Sequence, residues 1–306
     1  MTRKSQNLSH SIRDRLLQLA RLQNEEFQNY LMRFALERWM YRLSQSEHQD
    51  RFVLKGAMLF ALWSDDPHRP TQDLDLLGFG GSSVRELEEI FRQICAVEVA
   101  EDGLEFLPES VQGGAIREDN IYDGVRVKLR ASLGSAVIPL QIDIGFGDAI
   151  TPEPEWIKYP ASLDLPAPRL RAYRRETVIA EKFNAMVELG LRNTRCKDFY
   201  DLWVLARTYD FDGLELQRAL RDTFARRRTA LPREEPLAFT TAFSESPLKQ
   251  SQWQAFVRRG KLKAGERPLP EIIAFLREFL WPPMTALHAD QPFPQQWKAG
   301  GPWIMP

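Results

Sequence analysis

An apolar segment with a glycine turn, followed by two closely spaced aspartates, constrains the fold of this 306-residue chain most. The segment is KGAMLFALW from Lys55, and the sequence TQDLDL begins sixteen residues after that lysine. Because side chains alternate between the faces of a β-strand, Asp73 and Asp75 would share one face while the leucines enter the core. Two carboxylates about 7 Å apart on one face repel each other unless a cation lies between them. The pattern predicts a nucleotidyl-transfer site that binds a triphosphate with Mg²⁺.

A third carboxylate for such a site is Asp143, in the sequence LQIDI. A charged residue between two core residues of a strand is costly unless it is paired or bound to metal. An in-line attack on phosphorus develops charge on the entering and leaving oxygens, and two Mg²⁺ ions about 3.5–4 Å apart stabilise both. We expect Asp73 and Asp75 to hold the metals that grip the triphosphate. Asp143 would bind the metal that activates the attacking hydroxyl and could serve as its base.

The alternative for each aspartate is an ion pair with an arginine or a cap on a turn. For an isolated D-x-D motif that alternative is the better one. The glycine turn upstream and the later strand with Asp143 reverse the preference in favour of a metal site.

A second group of charged residues lies in the helical half of the sequence. Lys182 follows Ile179 and precedes Met186 at helical spacing, so it falls on the apolar side of its helix. A lysine there must reach solvent or meet an anion, which is either a ligand or a neighbouring carboxylate. Sixteen residues later, RCKDFYDL begins another helix, where Asp198 could cap the N-terminus and Asp201 lies one turn further on.

The distribution of charge suggests two functional halves. Residues 1–165 carry 18 Lys and Arg against 26 Asp and Glu, whereas residues 166–306 carry 23 against 16. The halves therefore have net charges of −8 and +7, which sum to −1. An acidic half with a metal site and a basic half that faces a polyanion suit an enzyme acting on nucleic acid. Mutual attraction of the two halves explains the same asymmetry equally well.

Other features exclude several protein classes. Two cysteines are too few for a disulfide framework or a zinc cluster, which favours a reducing cytoplasm. The first residues lack the apolar core of a signal peptide. The longest apolar run, 52–63, contains a lysine and is too short to span a bilayer, so we expect no membrane partner.

The order of patterns predicts an α+β fold in two domains, 1–165 and 166–306. The first has two N-terminal helices in 9–46, a helix or turn plus helix in 52–63, and a helix at 84–95 that Ser82 or Ser83 can cap. Its predicted strands are 74–77, 97–99, 104–106, 125–130 and 137–144; Pro139 argues for an edge position or a strand that begins after it. Residues 151–168 would be an extended linker. The second domain is mainly helical, with helices predicted at 176–189, 198–208, 214–226, 247–257 and 271–281. Its proline-rich tail from residue 282 would lie extended on the surface.

Four segments together resemble the AbiEii-like nucleotidyltransferases, toxins of type IV toxin–antitoxin systems related to the MenT toxins. They are KGAMLF with TQDLDL, LQIDIGFGD, ETVIAEKFNA and RCKDFYDL, which occur in family order over about residues 50–210. The resemblance implies a polymerase-β-like nucleotidyltransferase core, with a mixed β-sheet and helices, followed by a helical C-terminal domain. It implies transfer of a nucleotide from an NTP to an acceptor, with tRNA 3′ ends the acceptor for some relatives, and an antitoxin encoded nearby.

The resemblance also implies roles for individual residues. Asp73 and Asp75 are metal and catalytic residues, Lys182 is a catalytic residue and triphosphate ligand, and Asp198 or Asp201 belongs to the nucleotide site. Nucleotide contacts are further assigned to Lys55, Gly56, Ala57 and Thr71. The family usually has Gly-Ser or Gly-Gly at the turn, whereas this chain has Gly56-Ala57, so a hydroxyl contact to phosphate is lost while a backbone contact survives.

Acceptor recognition and the nature of the acceptor stay open at this point. Candidate RNA tracks are 226–228 with Arg233, and 258–263 beside Trp253 and Phe256, although each is more typical of a solvated helix face. Besides tRNA modification, the sequence allows nucleotidyl transfer to a protein hydroxyl, or a non-catalytic NTP-binding regulator, which Ala57 alone favours. A plain nucleic-acid-binding protein is disfavoured by the acidic first half.

Overall fold

The computed structural model describes residues 3–63, 69, 71–117, 123–262 and 267–306. The chain forms two compact units. Unit 1 comprises Met1–Gly147 and Glu155–Ala172, and unit 2 comprises Asp148–Pro154 and Tyr173–Pro306.

Unit 1 is built on a mixed β-sheet with helices. Its helices are α1 (Arg3–Leu22), α2 (Phe27–Ser44), α3 (Phe60–Trp63) and α4 (Val84–Cys95). Its strands are β1 (Phe52–Lys55), β2 (Asp73–Gly78), β3 (Leu104–Arg117), β4 (Asp123–Leu133), β5 (Ala136–Phe146), β6 (Glu155–Lys158) and β7 (Arg169–Ala172). Among the described residues these seven strands form one sheet in the order β3-β4-β5-β2-β1-β7-β6. Strand β2 is parallel to β5 and antiparallel to β1. The predicted α+β class is confirmed.

One face of this sheet is apolar and the other is polar around β2 and β5. Leu74 and Leu76 alternate with the aspartates of β2 and are buried, as are Ile142 and Ile144 of β5. Helices α2 and α4 pack beside each other on this core through Trp39 and Phe91, whose ring centroids are 4.8 Å apart, and Phe91 also contacts Phe52 of β1. The predicted N-cap of α4 is confirmed, since Ser83 Oγ accepts a hydrogen bond from the amide of Glu86.

Buried ion pairs tie α2 to the segment that leads into β3. Asp102 accepts hydrogen bonds from Arg42 Nη1 at 2.7 Å and from Arg38 Nε at 3.0 Å, and its side chain is 1% exposed. Burial acts to raise the pKa of Asp102, but the hydrogen bonds and charges of the two arginines outweigh it and lower the pKa below its ordinary value. The pairing satisfies the two positive charges of Arg38 and Arg42, which α2 carries into the core.

Pro139 lies in a central strand, not at an edge, because of local geometry. The amide of Arg130, its partner on β4, donates to Ser110 Oγ on the β3 side, so Arg130 and Pro139 form a pair without mutual hydrogen bonds. The missing N–H of Pro139 would therefore point toward β2. Since β2 begins to pair with β5 only at Gln141, no ladder bond is lost.

Three further predictions for unit 1 are wrong in detail. Residues 52–63 begin with strand β1 and only then form a turn and helix, and 97–99 do not form a strand. The segment 151–168, predicted as a linker, contains β6, which pairs with β7. Short apolar runs do not distinguish strand from helix, and a proline-rich segment can still contribute an edge strand.

Unit 2 is mainly helical. Its helices are α5 (Arg175–Leu189), α6 (Cys196–Thr208), α7 (Gly213–Arg226), α8 (Thr241–Ser244), α9 (Pro247–Gly260) and α10 (Leu269–His288). A small sheet in its described part contains β8 (Phe211–Asp212), β9 (Gln296–Trp297) and β10 (Trp303–Ile304). Phe183 of α5 packs between Phe224 of α7 and Phe239. No described helix of either unit has the length and apolar character that a membrane crossing requires.

The C-terminal tail packs into unit 2, so the predicted surface arm is wrong. Helix α10 continues through Pro282 and Pro283 to His288. Phe279 O, the carbonyl that Pro283 cannot satisfy, accepts a hydrogen bond from Trp303 Nε1 at 3.0 Å. Trp297 is fully buried against Phe279 and donates to Ala206 O at 2.6 Å. The tail's tryptophans thus complete the core of unit 2.

Replacing Trp297 should destabilise unit 2 strongly. We expect Trp297→Ala to lower its free energy of unfolding by about 3–5 kcal/mol, because it empties a fully buried aromatic site. Chemical denaturation followed by circular dichroism measures the change. Ile304→Ala, in the same tail but 41% exposed, is the matched control and should cost less than about 1 kcal/mol. Equal stability of the two variants would contradict the burial of the tail.

Candidate metal and nucleotide site

The glycine turn after β1 lies directly against one of the predicted metal ligands. Gly56 has φ 74° and ψ −158°, a conformation that essentially only glycine adopts. A Cβ at this position would overlap Asp75 Oδ2 and lie 2.6 Å from Asp75 Cγ. A 3₁₀ turn, Ala57–Leu59, follows and leads into α3. The glycine is therefore required by its dihedral angles and by the close approach of a carboxylate to the backbone.

The sheet register brings the three predicted carboxylates together. Asp75 of β2 is the partner of Asp143 on the parallel strand β5, and Asp73 lies two residues before Asp75 on the same face. One oxygen of each carboxylate lies within 4.8 Å of the others, and all three residues are half-buried. An all-oxygen donor set of this size fits a hard divalent cation such as Mg²⁺. The sequence-based expectation that these side chains converge is thus fulfilled in the geometry.

Thr71 orients the first carboxylate of this group. Its hydroxyl donates a hydrogen bond to Asp73 Oδ1 at 2.7 Å. A ligand carboxylate held in this way keeps its other oxygen directed into the site. The contact connects Thr71 to the site through Asp73, and the direct contact of Thr71 with a nucleotide stays a prediction.

Arg126 is a site residue that the sequence analysis missed. Its Nε and Nη2 donate to the two oxygens of Asp143 at 2.8 and 2.7 Å. The hydrogen bonds to Asp143 and the charges of Asp143, Asp73 and Asp75 raise the pKa of this guanidinium. The signal lay in the hairpin of β4 and β5. With Gly134 and Ser135 as a two-residue loop, counting back from the Leu133–Ala136 pair places Arg126 opposite Asp143.

Four charged residues form one row across the sheet. In the strand register, Lys55 of β1 lies opposite Asp75 of β2, which in turn lies opposite Asp143 of β5. Asp143 lies opposite Arg126 of β4. The order is therefore cation, carboxylate, carboxylate, cation. The two basic residues reduce the repulsion between the carboxylates.

A cavity of about 540 Å³ opens beside Asp73 on unit 1. Its walls include Gln112 of β3, Lys128 and Arg130 of β4, and Gln141 of β5. The cavity thus extends from the carboxylates toward β4, which is the flank away from the glycine turn.

Lys182, Asp198 and Asp201 form a separate charged cluster within unit 2. Lys182 Nζ lies 2.8 Å from Asp198 Oδ1 and 2.8 Å from Asp201 Oδ2. Arg195 Nε also contacts Asp198, at 2.7 Å. Both aspartates have fully buried side chains, and that of Lys182 is 12% exposed. Asp198 is therefore an ion-pair partner and not the cap of α6, whose N-cap residue is Arg195.

The family of the chain follows from its sequence. A family model described as nucleotidyl transferase AbiEii toxin, type IV toxin–antitoxin system, matches residues 38–276. The chain belongs to this family. The match extends over the three carboxylates of unit 1 and the Lys182 cluster of unit 2, and it confirms the resemblance inferred from the four sequence segments.

Two solved structures from Helicobacter pylori are similar to this AbiEii-family chain. One is the crystal structure of JHP933, with a TM-score of 0.47 and 19% identity, covering 84% of this chain and 92% of that chain. The other is described as a candidate nucleotidyltransferase, with a TM-score of 0.49 and 19% identity, covering 86% of this chain and 98% of that chain. Comparison with curated proteins gave no match.

One of the two aromatic residues predicted to stack on RNA in unit 2 is buried, whereas Phe256 is partly exposed. Trp253 is 2% exposed and donates its Nε1 hydrogen to Arg267 O, so no base can stack on it. In the other track, Arg227 already forms two ion pairs. Its Nη2 lies 3.3 Å from Asp148 Oδ1 and 3.5 Å from Glu181 Oε1. Lys263 lies outside the described residues.

Substituting the glycine of the turn should disrupt the site. We expect Gly56→Ala to lower the free energy of unfolding of unit 1 by about 1–3 kcal/mol, because the new methyl group meets Asp75 and the backbone conformation becomes strained. Denaturant unfolding measures the cost. Gly114→Ala is the matched control, since an added Cβ on that strand glycine meets nothing within 4 Å. A Gly56→Ala protein as stable as the Gly114→Ala protein would disprove the close approach.

Proposed function

We propose that this AbiEii-family protein is a metal-dependent nucleotidyltransferase that transfers a nucleoside monophosphate from an NTP to the 3′ end of tRNA. Such a transfer would block translation, as expected of a toxin. The observation that carries the proposal is the register of β2 and β5, which aligns Asp75 with Asp143 beside Asp73. Arg126 pairs with Asp143, and the three carboxylates, with oxygens within 4.8 Å of one another, form an all-oxygen donor set that suits a divalent cation.

The residues that would hold the metal are Asp73, Asp75 and Asp143. Arg126 uses both oxygens of Asp143, but each carboxylate oxygen keeps a second lone pair, so the pairing is compatible with a cation. When bound, divalent cations such as a pair of Mg²⁺ ions supply stabilisation for the charge that develops on phosphate oxygens. Thr71 and Arg126 would keep two of the ligands in fixed orientations.

The glycine turn is the proposed site of the triphosphate. Its backbone passes next to the Asp75 carboxylate, so phosphates held by a cation at that carboxylate would lie beside the main chain of Gly56 and Ala57. Lys55 is the nearest basic residue on the same sheet face. The change from serine or glycine to Ala57 removes a hydroxyl, but the backbone contact is independent of it.

The reaction would be an in-line displacement at the α-phosphorus. The 3′ oxygen of the acceptor forms the new P–O bond, the bond to the β-phosphate oxygen breaks, and pyrophosphate leaves. Asp143 would accept the proton of the attacking hydroxyl, because it is the carboxylate on the β4 side of the group, away from the glycine turn.

We keep Lys182 as a catalytic residue and triphosphate ligand, with Asp198 and Asp201 as members of the nucleotide site. What supports this is the family membership and the position of the lysine between two buried carboxylates, which fix its ammonium group. The ion pairs alone are equally suited to a structural role. An antitoxin partner is proposed on the same family basis.

Labelling of RNA tests the proposed function. Purified protein is incubated with total tRNA, Mg²⁺ and each α-³²P-labelled NTP in turn, and the products are separated on a gel. We expect incorporation into RNA that falls at least about a hundredfold in Asp73→Asn, because one group that stabilises transition-state charge is lost. Asp164→Asn is the matched control, since its side chain is fully exposed.

The outcomes of this experiment separate the competing functions. Label on a protein band instead of RNA would indicate transfer to a protein hydroxyl. NTP binding without label on any acceptor would indicate a regulator. Full activity of Asp73→Asn would contradict a catalytic role for the carboxylates.

A further inference from the structure

The acceptor surface of unit 1 can be inferred from the polar face of the β4–β5 hairpin. Alternate residues of β4 on this face are Arg126, Lys128 and Arg130, which we call the cationic row. Opposite them on β5 lie Asp143, Gln141 and Pro139 in register. The row therefore begins beside the carboxylates and leads away from them along the strand.

The cationic row is available to a ligand. Lys128 and Arg130 are exposed, and in the described part of the chain neither side chain forms an ion pair. Arg126 has 42% of its side chain exposed although it binds Asp143. Alternate residues of a strand are about 7 Å apart, so three cations cover about 14 Å of one face. Residues 1–165 have a net charge of −8, so three basic residues on one strand face form a local positive surface in an acidic part of the chain.

An apolar strip accompanies the cationic row. Val137 is 57% exposed and Pro139 is also exposed, both on the same face of β5. Pro139 lies opposite Arg130, and Val137 lies opposite Ser132, one step further along the hairpin. Cations next to exposed apolar side chains suit a single-stranded polynucleotide, whose phosphates bind the cations while its bases cover the apolar strip.

The strand order gives this surface a direction. The order β4-β5-β2-β1 places the glycine turn on one side of the carboxylates and the cationic row on the other. The NTP and the acceptor of a transfer reaction must reach the carboxylates from different sides. The cavity beside Asp73, which Lys128, Arg130 and Pro139 also line, then accommodates the last nucleotide of the acceptor.

We infer that the cationic row and the apolar strip bind the single-stranded 3′ end of the acceptor RNA and direct its terminal hydroxyl to Asp143. This inference rests on the proposed function and extends it, because it assigns the acceptor to unit 1 and to a strand that the sequence analysis predicted without connecting it to RNA. The recognised chemistry is a phosphodiester backbone with unpaired bases.

Binding of RNA without NTP tests the inference independently of catalysis. The probe is a short single-stranded RNA with a 5′ fluorophore and a free 3′ hydroxyl, titrated with the full chain and followed by fluorescence anisotropy. For the Lys128→Gln/Arg130→Gln double variant we expect the Kd to rise at least about tenfold near 0.1 M salt. The slope of log K against log salt should fall by about 1.4, because two phosphate contacts are lost.

Two further variants sharpen the experiment. Lys158→Gln is the matched control, an exposed lysine on the edge strand β6, and its Kd should equal that of the wild type. Val137→Glu places a negative charge on the exposed apolar strip without touching the cations, and it should also weaken binding. All variants are checked for an unchanged unfolding midpoint, so a folding defect cannot imitate the effect.

The result distinguishes this inference from the proposed function. An unchanged Kd and salt slope in the double variant, or a wild-type protein that does not bind the RNA, would overturn the inference. RNA binding that depends on the row, together with no nucleotide transfer to any RNA, would contradict the proposed function alone.

Discussion

The contact between Asp75 and the backbone of Gly56 is the constraint on which the site of unit 1 depends. Since a Cβ at residue 56 would overlap the carboxylate, the turn and strand β2 can be neighbours only with glycine at that position. The contact fixes Asp75 in the register of β1 and β2, and the parallel pairing of β2 with β5 then brings Asp143 alongside. A nucleotide-binding turn and a metal site can thus be built from three adjacent strands.

Electrostatics explain why these strands carry the residues that they do. Three half-buried carboxylates with oxygens within 4.8 Å of one another would be unfavourable alone. Arg126 forms an ion pair with one of them, Asp143. Lys128 and Arg130 follow Arg126 on the same face of β4. The same hairpin therefore serves the carboxylates at one end and offers an exposed cationic surface along its length. In unit 2, Lys182 forms ion pairs with both Asp198 and Asp201, and Arg195 forms a second ion pair with Asp198.

The sequence allowed prediction of the elements whose signal is local. The alternation of β2, the periodicity of α5 to α7 and the cap at Ser83 depend on neighbouring residues, and each prediction is confirmed. The errors concern features that depend on distant partners. Pro139 is tolerated in a central strand because β2 starts late, and Trp297 is buried because α10 offers Phe279. Arg126 could have been found by counting across the β4–β5 loop. The roles of Lys55, Thr71, Lys182, Asp198 and Asp201 stay predictions.

A crystal structure with Mn²⁺ and a non-hydrolysable NTP analogue tests the central claim most directly, because anomalous scattering locates the ion without assumptions. We predict an anomalous peak within about 2.5 Å of carboxylate oxygens from Asp73, Asp75 and Asp143, a distance expected for an all-oxygen cation site. In Asp143→Asn crystals the peak should weaken or disappear. Bound nucleotide with no ion at these three residues, or an ion held entirely by other side chains, would contradict the account.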